Sequence, residues 1–403
     1  MAVGLEFPLA LHPVGGVRLS AAHCGIKKTS DTKDLALIEV SEGSSVAGVF
    51  TRSHFCAAPV TLCKQHLAGG SGIRYLLINS GNANAATGTQ GLDNARACCA
   101  AVAEATGIEV EAVLPFSTGV IAEQLDTTPI VNAIPGLVES LSADAWLPAA
   151  EAIMTTDTIP KAVSRQVEID NRTVSICGMA KGSGMIKPDM ATMLSYIATD
   201  ARIDASELDS MLELLVAGSF NSITVDGDTS TNDSCMLIAT GESGVDVSRD
   251  HALFLDALRE VFEQLAQAII RDAEGATKFV EVSVDGASSE ADARSIAFTI
   301  AESPLVKTAV FASDPNWGRF IMAIGRSAVS QIDVDRLDLY LGSVRLLHRG
   351  LPDPDYREEL GQAEMSKSEI SVRVDLNLGE SGARIWTSDL SYDYVKINAE
   401  YRS

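Results

Sequence analysis

The stretch from Gly178 to Leu194 carries the residue types and spacing best suited to chemistry. It reads Gly-Met-Ala-Lys-Gly-Ser-Gly-Met-Ile-Lys-Pro-Asp-Met-Ala-Thr-Met-Leu. Its three glycines permit an irregular backbone with positive φ. Pro188 stiffens the approach and keeps Lys187 out of the helical region. Small Ala191 precedes Thr192, which opens an apolar, strand-like run to Ala198. If the 191–192 bond breaks, Thr192 gains a free α-amine beside its own hydroxyl. Such an amine has a pKa of roughly 7.7–8 and can act as a base near neutral pH. Threonine paired with its own N-terminal amine is one way to activate a weak nucleophile. The cut itself would be attack by Thr192 Oγ on the Ala191 carbonyl, giving an ester that water opens. Spacing alone leaves two readings open, an N-terminal nucleophile and an ordinary Gly-rich loop.

Other chemistries find little support. There is no G-x-S-x-G and no P-loop motif. Gly182-Ser183-Gly184 starts like a dinucleotide fingerprint, but position 187 is lysine and proline follows it. Asp226-Gly227-Asp228-Thr229-Ser230 starts like a calcium loop. Its sixth position is Thr231 and its twelfth is Leu237, so it reads as a polar turn or as the wall of a site. None of the six histidines lies near the Gly-rich stretch or the acidic loop, so any base has to be something else. The seven cysteines include no CxxC pair and read as reduced, mostly buried thiols without a zinc site.

The elements that must position these residues alternate. Strands are predicted at Leu35–Val40, Val46–Thr51, Tyr75–Ile78, Thr192–Ala198, Cys235–Thr240 and Phe279–Val284, and a hairpin turning at Asp170-Asn171 over Val167–Ile176. Late strands are predicted at Leu337–Leu341, Ile370–Leu376 and Tyr394–Ile397. Helices are predicted at Leu92–Thr106, Ala205–Ala217, His251–Arg271 and Glu290–Ile300. In the third of these, Leu253, Ala257, Val261, Leu265 and Ile269 step by four. This interleaving predicts a mixed α/β (α+β) protein. At 403 residues two domains are expected, and the 178–188 loop divides the chain near its middle.

Composition sets bounds. With 46% apolar residues the chain can bury a sizeable core. A formal net charge of −23 with no basic run excludes nucleic acid and anionic membrane surfaces as expected partners. No apolar run reaches the ~18 residues of a membrane span. Met1–Leu19 lacks the basic and apolar regions of a signal peptide, so a cytoplasmic protein is expected.

Further blocks extend the pattern. They are Ser45-Val-Ala-Gly-Val-Phe-Thr51, Asn79-Ser-Gly-Asn-Ala-Asn84, Ser117-Thr-Gly-Val120, Met154-Thr-Thr-Asp-Thr158, Asp226-Gly-Asp-Thr-Ser-Thr-Asn-Asp233, Asp272-Ala-Glu-Gly-Ala-Thr-Lys278, Ser313-Asp-Pro-Asn-Trp-Gly-Arg319 and Val395-Lys-Ile-Asn-Ala-Glu-Tyr-Arg-Ser403. In this order, with the Met-Ala-Thr segment, they resemble the ornithine acetyltransferase (glutamate N-acetyltransferase) family of arginine biosynthesis over nearly the whole chain. The resemblance implies a layered α-β-β-α sandwich of the aminopeptidase/ornithine acetyltransferase type. It implies self-cutting between Ala191 and Thr192 into chains 1–191 and 192–403. These chains stay together and associate further, as an α2β2 heterotetramer.

The resemblance also implies roles. Thr192 is the nucleophile, and Thr118 with Gly119 forms the oxyanion hole. Thr158, Lys181, Thr192, Glu274, Asn398 and Ser403 contact substrate. Charge complementarity then pairs Lys181 with the α-carboxylate of N2-acetylornithine and Glu274 with its ammonium. The implied reaction is ping-pong. Thr192 takes the acetyl group, ornithine leaves, and glutamate accepts the acetyl. No metal or organic cofactor is implied; acetyl-CoA enters only as an alternative donor that some members use. Ser403 stands where the family often has Thr, and Asp189 where it commonly has Asn. An N-terminal-nucleophile aminopeptidase or amidase, passing the acyl group to water, is a rival reading. An unprocessed, non-catalytic homologue is another, with Asp189 as its support.

Overall fold

The computed structural model describes residues 2–8, 10–27, 32–187, 193–329 and 331–401. They form two compact units, one of Glu6–Asn221 with Thr229–Ile269, the other of Met1–Leu5, Ser222–Asp228 and Ile270–Ser403.

The larger unit holds two sheets. Strands β1 (Val17–Ala22), β2 (Leu35–Val40), β4 (Tyr75–Asn82) and β5 (Val113–Val120) pair in the order β1-β2-β4-β5. Strands β3 (Ser45–Phe50), β6 (Lys161–Ile169), β7 (Arg172–Lys181), β8 (Leu194–Thr199) and β10 (Ser234–Ala239) pair in the order β3-β10-β8-β7-β6. Side chains alternate along a strand, so every second residue of each sheet can face the other sheet. Ile38, Ile78 and Phe116 thus meet Met179, Tyr196 and Met236 in one buried cluster. The Phe116 and Tyr196 rings pack edge to face, 5.1 Å apart. Each such buried side chain contributes about 1.5–3 kcal/mol.

Helices cover both outer faces. On the first sheet lie α1 (Ala58–Ala68), α2 (Gly88–Thr106) and α3 (Thr128–Glu139), with Leu62, Cys99, Val102 and Ile134 against Leu35, Leu37 and Leu77. Helix α4 (Trp146–Ala152) packs on β1, β2, β6 and β7. On the second sheet lie α5 (Ala205–Gly218), against β3 and β10, and α6 (Ala252–Arg271). A side chain at Gly178 would stand 2.9 Å from Ile197 and 3.0 Å from Leu265, so glycine there lets α6 lie close on the sheet. The result is the expected α-β-β-α sandwich.

The smaller unit is built on one sheet, ordered β14-β13-β12-β15-β11-β16-β9. Its strands are β9 (Ile223–Thr224), β11 (Phe279–Ala287), β12 (Asp338–Leu341), β13 (Val344–His348), β14 (Leu351–Pro352), β15 (Glu369–Asp375) and β16 (Ser381–Ser388). Helices α7 (Glu290–Ala301), α8 (Pro304–Phe311), α9 (Trp317–Gly325) and α10 (Glu358–Met365) share its core, for example through Ile296, Val306, Phe320 and Met365 against Val282 and Val372.

The hairpin lies where expected. Asp170 and Asn171 take φ of 52° and 61°, the geometry of a tight two-residue turn between β6 and β7. Two expectations change. Tyr394–Ile397 is not a strand but part of α11 (Tyr392–Ala399). The Ser391 side chain caps that helix by accepting from the Tyr394 N–H, and so short an apolar run cannot be told from a helix by periodicity. In α6 the buried positions of the first turns are Phe254 and Leu258, while Leu253 is exposed. A strict step of four outruns the 3.6-residue turn, so the stripe walks round the helix.

Lys307 on α8 is a buried cation in the smaller unit. Its Nζ donates to Thr387 Oγ1 at 2.9 Å and to the Ser388 carbonyl. Burial pushes its pKa down to about 8, against the pull of Asp389, Asp226 and Glu302. Between that value and the ordinary 10.5 the unfolded chain binds more protons than the folded one, so stability contributed at this site rises with pH. Compared with Lys307→Met, the wild-type unfolding free energy from urea titrations is expected to gain ground from pH ~8 to pH ~10, by an amount on the order of a few kcal/mol. A difference that stays constant over that range rules this out.

Candidate active site

Two inward-facing series run out at one end of the sandwich. On β5, Leu114 and Phe116 face the second sheet, and Thr118 is next; on β7, Cys177 and Met179 lead to Lys181. Lys181 is paired in register with Leu194 of β8, and Leu194 with Ser234 of β10. The Lys181 ammonium crosses between the sheets and donates to Thr118 Oγ1 at 3.1 Å, both side chains being buried. Lysine can only donate, so the threonine oxygen accepts and its own hydrogen is left for a third atom.

Gly119 follows with φ of +135°. A Cβ there would lie 2.3 Å from the Gly81 carbonyl carbon and 2.6 Å from the Asn82 nitrogen, where β4 and β5 shift register. Only glycine tolerates both the conformation and the approach. A hydroxyl hydrogen beside a closely packed glycine suits the stabilisation of a developing oxyanion.

Buried charge sets the local field. Asp157 Oδ1 accepts from Lys161 Nζ at 2.6 Å and from the Gly182 N–H at 2.7 Å, and Oδ2 accepts from the Thr155 N–H at 2.9 Å. Burial alone would raise this carboxyl, but Lys161, Lys181 and the hydrogen bonds hold it well below the usual carboxylate range. Lys27 is half-buried, and its pKa is lowered mainly by burial, with the Lys181 charge adding to that. Its backbone N–H, with those of Cys24, Gly25 and Ile26, donates to the buried Asp34 carboxylate.

Part of the acidic block, Thr229–Asp233, closes over the same end. Asn232 is buried, and its Nδ2 donates to the Ala83 carbonyl at 2.6 Å and the Ser117 carbonyl at 2.9 Å. The Ser117 hydroxyl donates to Asn79 Oδ1 at 2.6 Å, and Asn79 Nδ2 donates to the Asn82 carbonyl. Burial drives the Asp233 carboxyl well above its ordinary range, against a hydrogen bond from Ser230 and the attraction of Lys181.

In the smaller unit Glu274 is buried, and Asn398 Nδ2 on α11 donates to its Oε2 at 2.6 Å. Gly275 has φ of 68°, and a Cβ there would meet Ser391 Oγ and the Tyr394 nitrogen at 2.6 Å. That glycine therefore lets the start of α11 press against the Glu274 loop. Asp389 accepts from the Thr277 N–H at 2.8 Å and from its hydroxyl at 2.5 Å, which fixes the far side of the loop.

Among the expected site residues, the fold thus joins Thr118 to Lys181, and Glu274 to Asn398. Thr158 is exposed, beside buried Asp157. Ala191, Thr192 and Ser403 lie outside the described residues, as does Asp189. Asp157, Lys161 and Asn232 escaped the sequence reading. The first two carry a visible signal, opposite charges four residues apart around Ile159-Pro160. Asn232 carries none beyond its place in the acidic block. All seven cysteines are free thiols. Among the described residues no His, Cys, Asp and Glu cluster suits a metal, and no helix is long and apolar enough to cross a membrane.

The chain is similar to known proteins over nearly its whole length. The ArgJ family pattern matches residues 18–403. The arginine biosynthesis bifunctional protein ArgJ of Pseudomonas syringae pv. tomato is 50% identical over 408 residues, all of both chains. A crystal structure of ArgJ from Bacillus halodurans is 40% identical, covering 50% of this chain and 96% of its own, with a TM-score of 0.48. A Mycobacterium tuberculosis ornithine acetyltransferase, crystallised with ornithine, is 34% identical over 44% of this chain and 94% of its own, with a TM-score of 0.39. With the family pattern covering nearly every residue and half of them identical in a full-length relative, the chain belongs to the ArgJ family and is an acetyltransferase of arginine biosynthesis.

Proposed function

We propose that the enzyme moves an acetyl group from N2-acetylornithine to glutamate through an acetyl ester on Thr192, after cutting itself between Ala191 and Thr192. One observation carries this reading, the Lys181–Thr118 contact beside Gly119 at the end of β5. It lies level with the start of β8, whose inward residues are Ala198, Tyr196 and Leu194.

The proposed chemistry runs in four proton-balanced moves. The Thr192 amine takes the hydroxyl proton as Oγ attacks the acetyl carbonyl. Thr118 and Gly119 hold the resulting oxyanion. Ornithine leaves as the amine, carrying the proton. Glutamate then attacks the ester and the steps reverse. Lys181, beside Thr118, pairs by charge with the substrate carboxylate. Glu274, oriented by Asn398, takes the side-chain ammonium; Thr158 and Ser403 complete the contacts. The reaction exchanges one amide for another, so no cofactor is needed, and acetyl-CoA serves as a second acetyl donor. The chains 1–191 and 192–403 remain associated as an α2β2 heterotetramer in the cytoplasm.

The test is acetyl transfer with and without glutamate. Ornithine release is expected to be sustained only with glutamate, and without it to stop after one turnover, leaving an acetylated 192–403 chain. Steady release into water would instead support an amidase. Lys181→Ala and Glu274→Ala are each expected to lower kcat/KM by roughly 10- to 100-fold, the scale of a lost charged hydrogen bond. Unchanged values in both would remove these residues from the site.

A further inference from the structure

The acidic block Asp226–Asp233 has no part in the chemistry above, yet its last residues reach the proposed oxyanion donors. We infer that Asn232 is a positioning residue that sets the Thr118–Gly119 donors by gripping the peptide just before them. The inference rests on the oxyanion role proposed for Thr118 and Gly119.

Asn232 immediately precedes Asp233 and strand β10, in the sheet opposite β5. Both of its amide hydrogens are used, one on the Ser117 carbonyl and one on the Ala83 carbonyl. Ser117 O belongs to the peptide unit that ends in the Thr118 nitrogen. Ala83 follows the Gly81–Asn82 irregularity against which Gly119 packs, and its own N–H donates to the Val120 carbonyl at 2.9 Å. A single amide group therefore ties together the two backbones that frame Gly119.

The clasp is itself held. Thr231 Oγ1 donates to Asn232 Oδ1 at 2.6 Å, and the Asn232 N–H donates to Ser230 Oγ at 3.1 Å. Thr51 Oγ1 donates to the Ser230 carbonyl at 2.8 Å, and the Ala57 N–H donates to the Thr231 carbonyl at 3.0 Å. With its donors and acceptor engaged, the side chain has one orientation. Donors aimed at an oxyanion act by being fixed beforehand, so a looser Ser117–Thr118 peptide lowers turnover more than substrate binding.

The experiment compares wild type, Asn232→Ala, Thr118→Ala and the double variant as full chains, measuring kcat, KM and Tm. Thr118→Ala is expected to lose roughly 100-fold in kcat, the scale of one oxyanion donor. Asn232→Ala is expected to lose roughly 10- to 50-fold with KM for the acetyl donor within about twofold, because its effect is confined to the transition state. The double variant is expected to fall no more than about threefold below Thr118→Ala, since Asn232 acts through that threonine. A multiplicative loss in the double variant, or an Asn232→Ala kcat within about threefold of wild type, overturns the inference. An Asn232→Ala chain that melts like wild type but stays uncut supports it, because cutting passes through the same kind of oxyanion. Should Asn232→Ala fail to fold, Asn232→Asp keeps the shape and the Thr231 contact while removing the two donors, and the same kcat loss is expected. If that variant also lacks cooperative melting, the residue is a fold element and the inference falls. A Thr118→Ala chain with wild-type kcat removes the oxyanion reading itself, whatever Asn232 does.

Discussion

A Thr192→Ala chain is expected to run as one full-length band on a denaturing gel, where two are expected from the wild type. Its acetyl transfer should fall by on the order of 10⁴-fold or more, the scale of losing a nucleophile. Both effects share one cause. Alanine has no oxygen to attack the Ala191 carbonyl, so no ester forms and no α-amine is released. Without that amine there is no base near neutral pH, and histidine offers no substitute. Thr192→Ser keeps the oxygen and is expected to cut and turn over. Two bands from Thr192→Ala would show that another group cuts the chain. A single band from wild type would favour the unprocessed reading and give Asp189 weight.

The second large effect is expected at Asp157, a residue that need not touch substrate. Asp157→Ala is expected to destabilise the larger unit by about 3–5 kcal/mol, the cost of stranding one member of a buried ion pair. Lys161 has a fully buried side chain, and Asp157 Oδ1 stands 2.6 Å from its Nζ. The variant also releases the Gly182 N–H, the first residue after β7, and the Thr155 N–H. Loss of the Gly182 anchor should reduce turnover as well as stability. The pH dependence has a definite sign. The carboxyl is held lower in the fold than in the unfolded chain, so its stabilisation is present above the ordinary carboxylate range and disappears only in strong acid. Urea midpoints at neutral pH check the magnitude, and a loss below about 1 kcal/mol would mean Lys161 finds another partner.

How much of this was legible in the sequence differs by residue. The short apolar run Leu35–Val40 and the Asp170-Asn171 turn are local signals, and both elements formed where expected. So did the helix at Ala205–Gly218, with Leu208, Met211, Leu212 and Leu215 buried. Thr118, Lys181, Glu274 and Asn398 could be named only through family resemblance, because nothing local marks a threonine at a strand end as a donor. What stayed hidden is long-range. Asn232 and Ser117 are 115 positions apart, and Gly182 and Asp157 are 25 apart. Such partners are fixed by sheet order, which periodicity does not encode. The failed strand at Tyr394–Ile397 is the converse case. The signal that decides it is a serine cap just upstream, outside the apolar run itself.

The order β3-β10-β8-β7-β6 has a consequence for how the mature enzyme ages. A break between β7 and β8 would make β8 and β10 one polypeptide and β3, β6 and β7 another, interleaved in a single sheet. Separating them means tearing two seams, β3 from β10 and β7 from β8. The uncut precursor folds as one molecule, with the connection keeping these strands at high effective concentration. Once cut, the same sheet can be rebuilt only by encounter of two molecules, so refolding becomes second order. Maturation would thus be a one-way ratchet, in which the precursor assembles easily and the product, if ever unfolded, competes with aggregation to find its partner again.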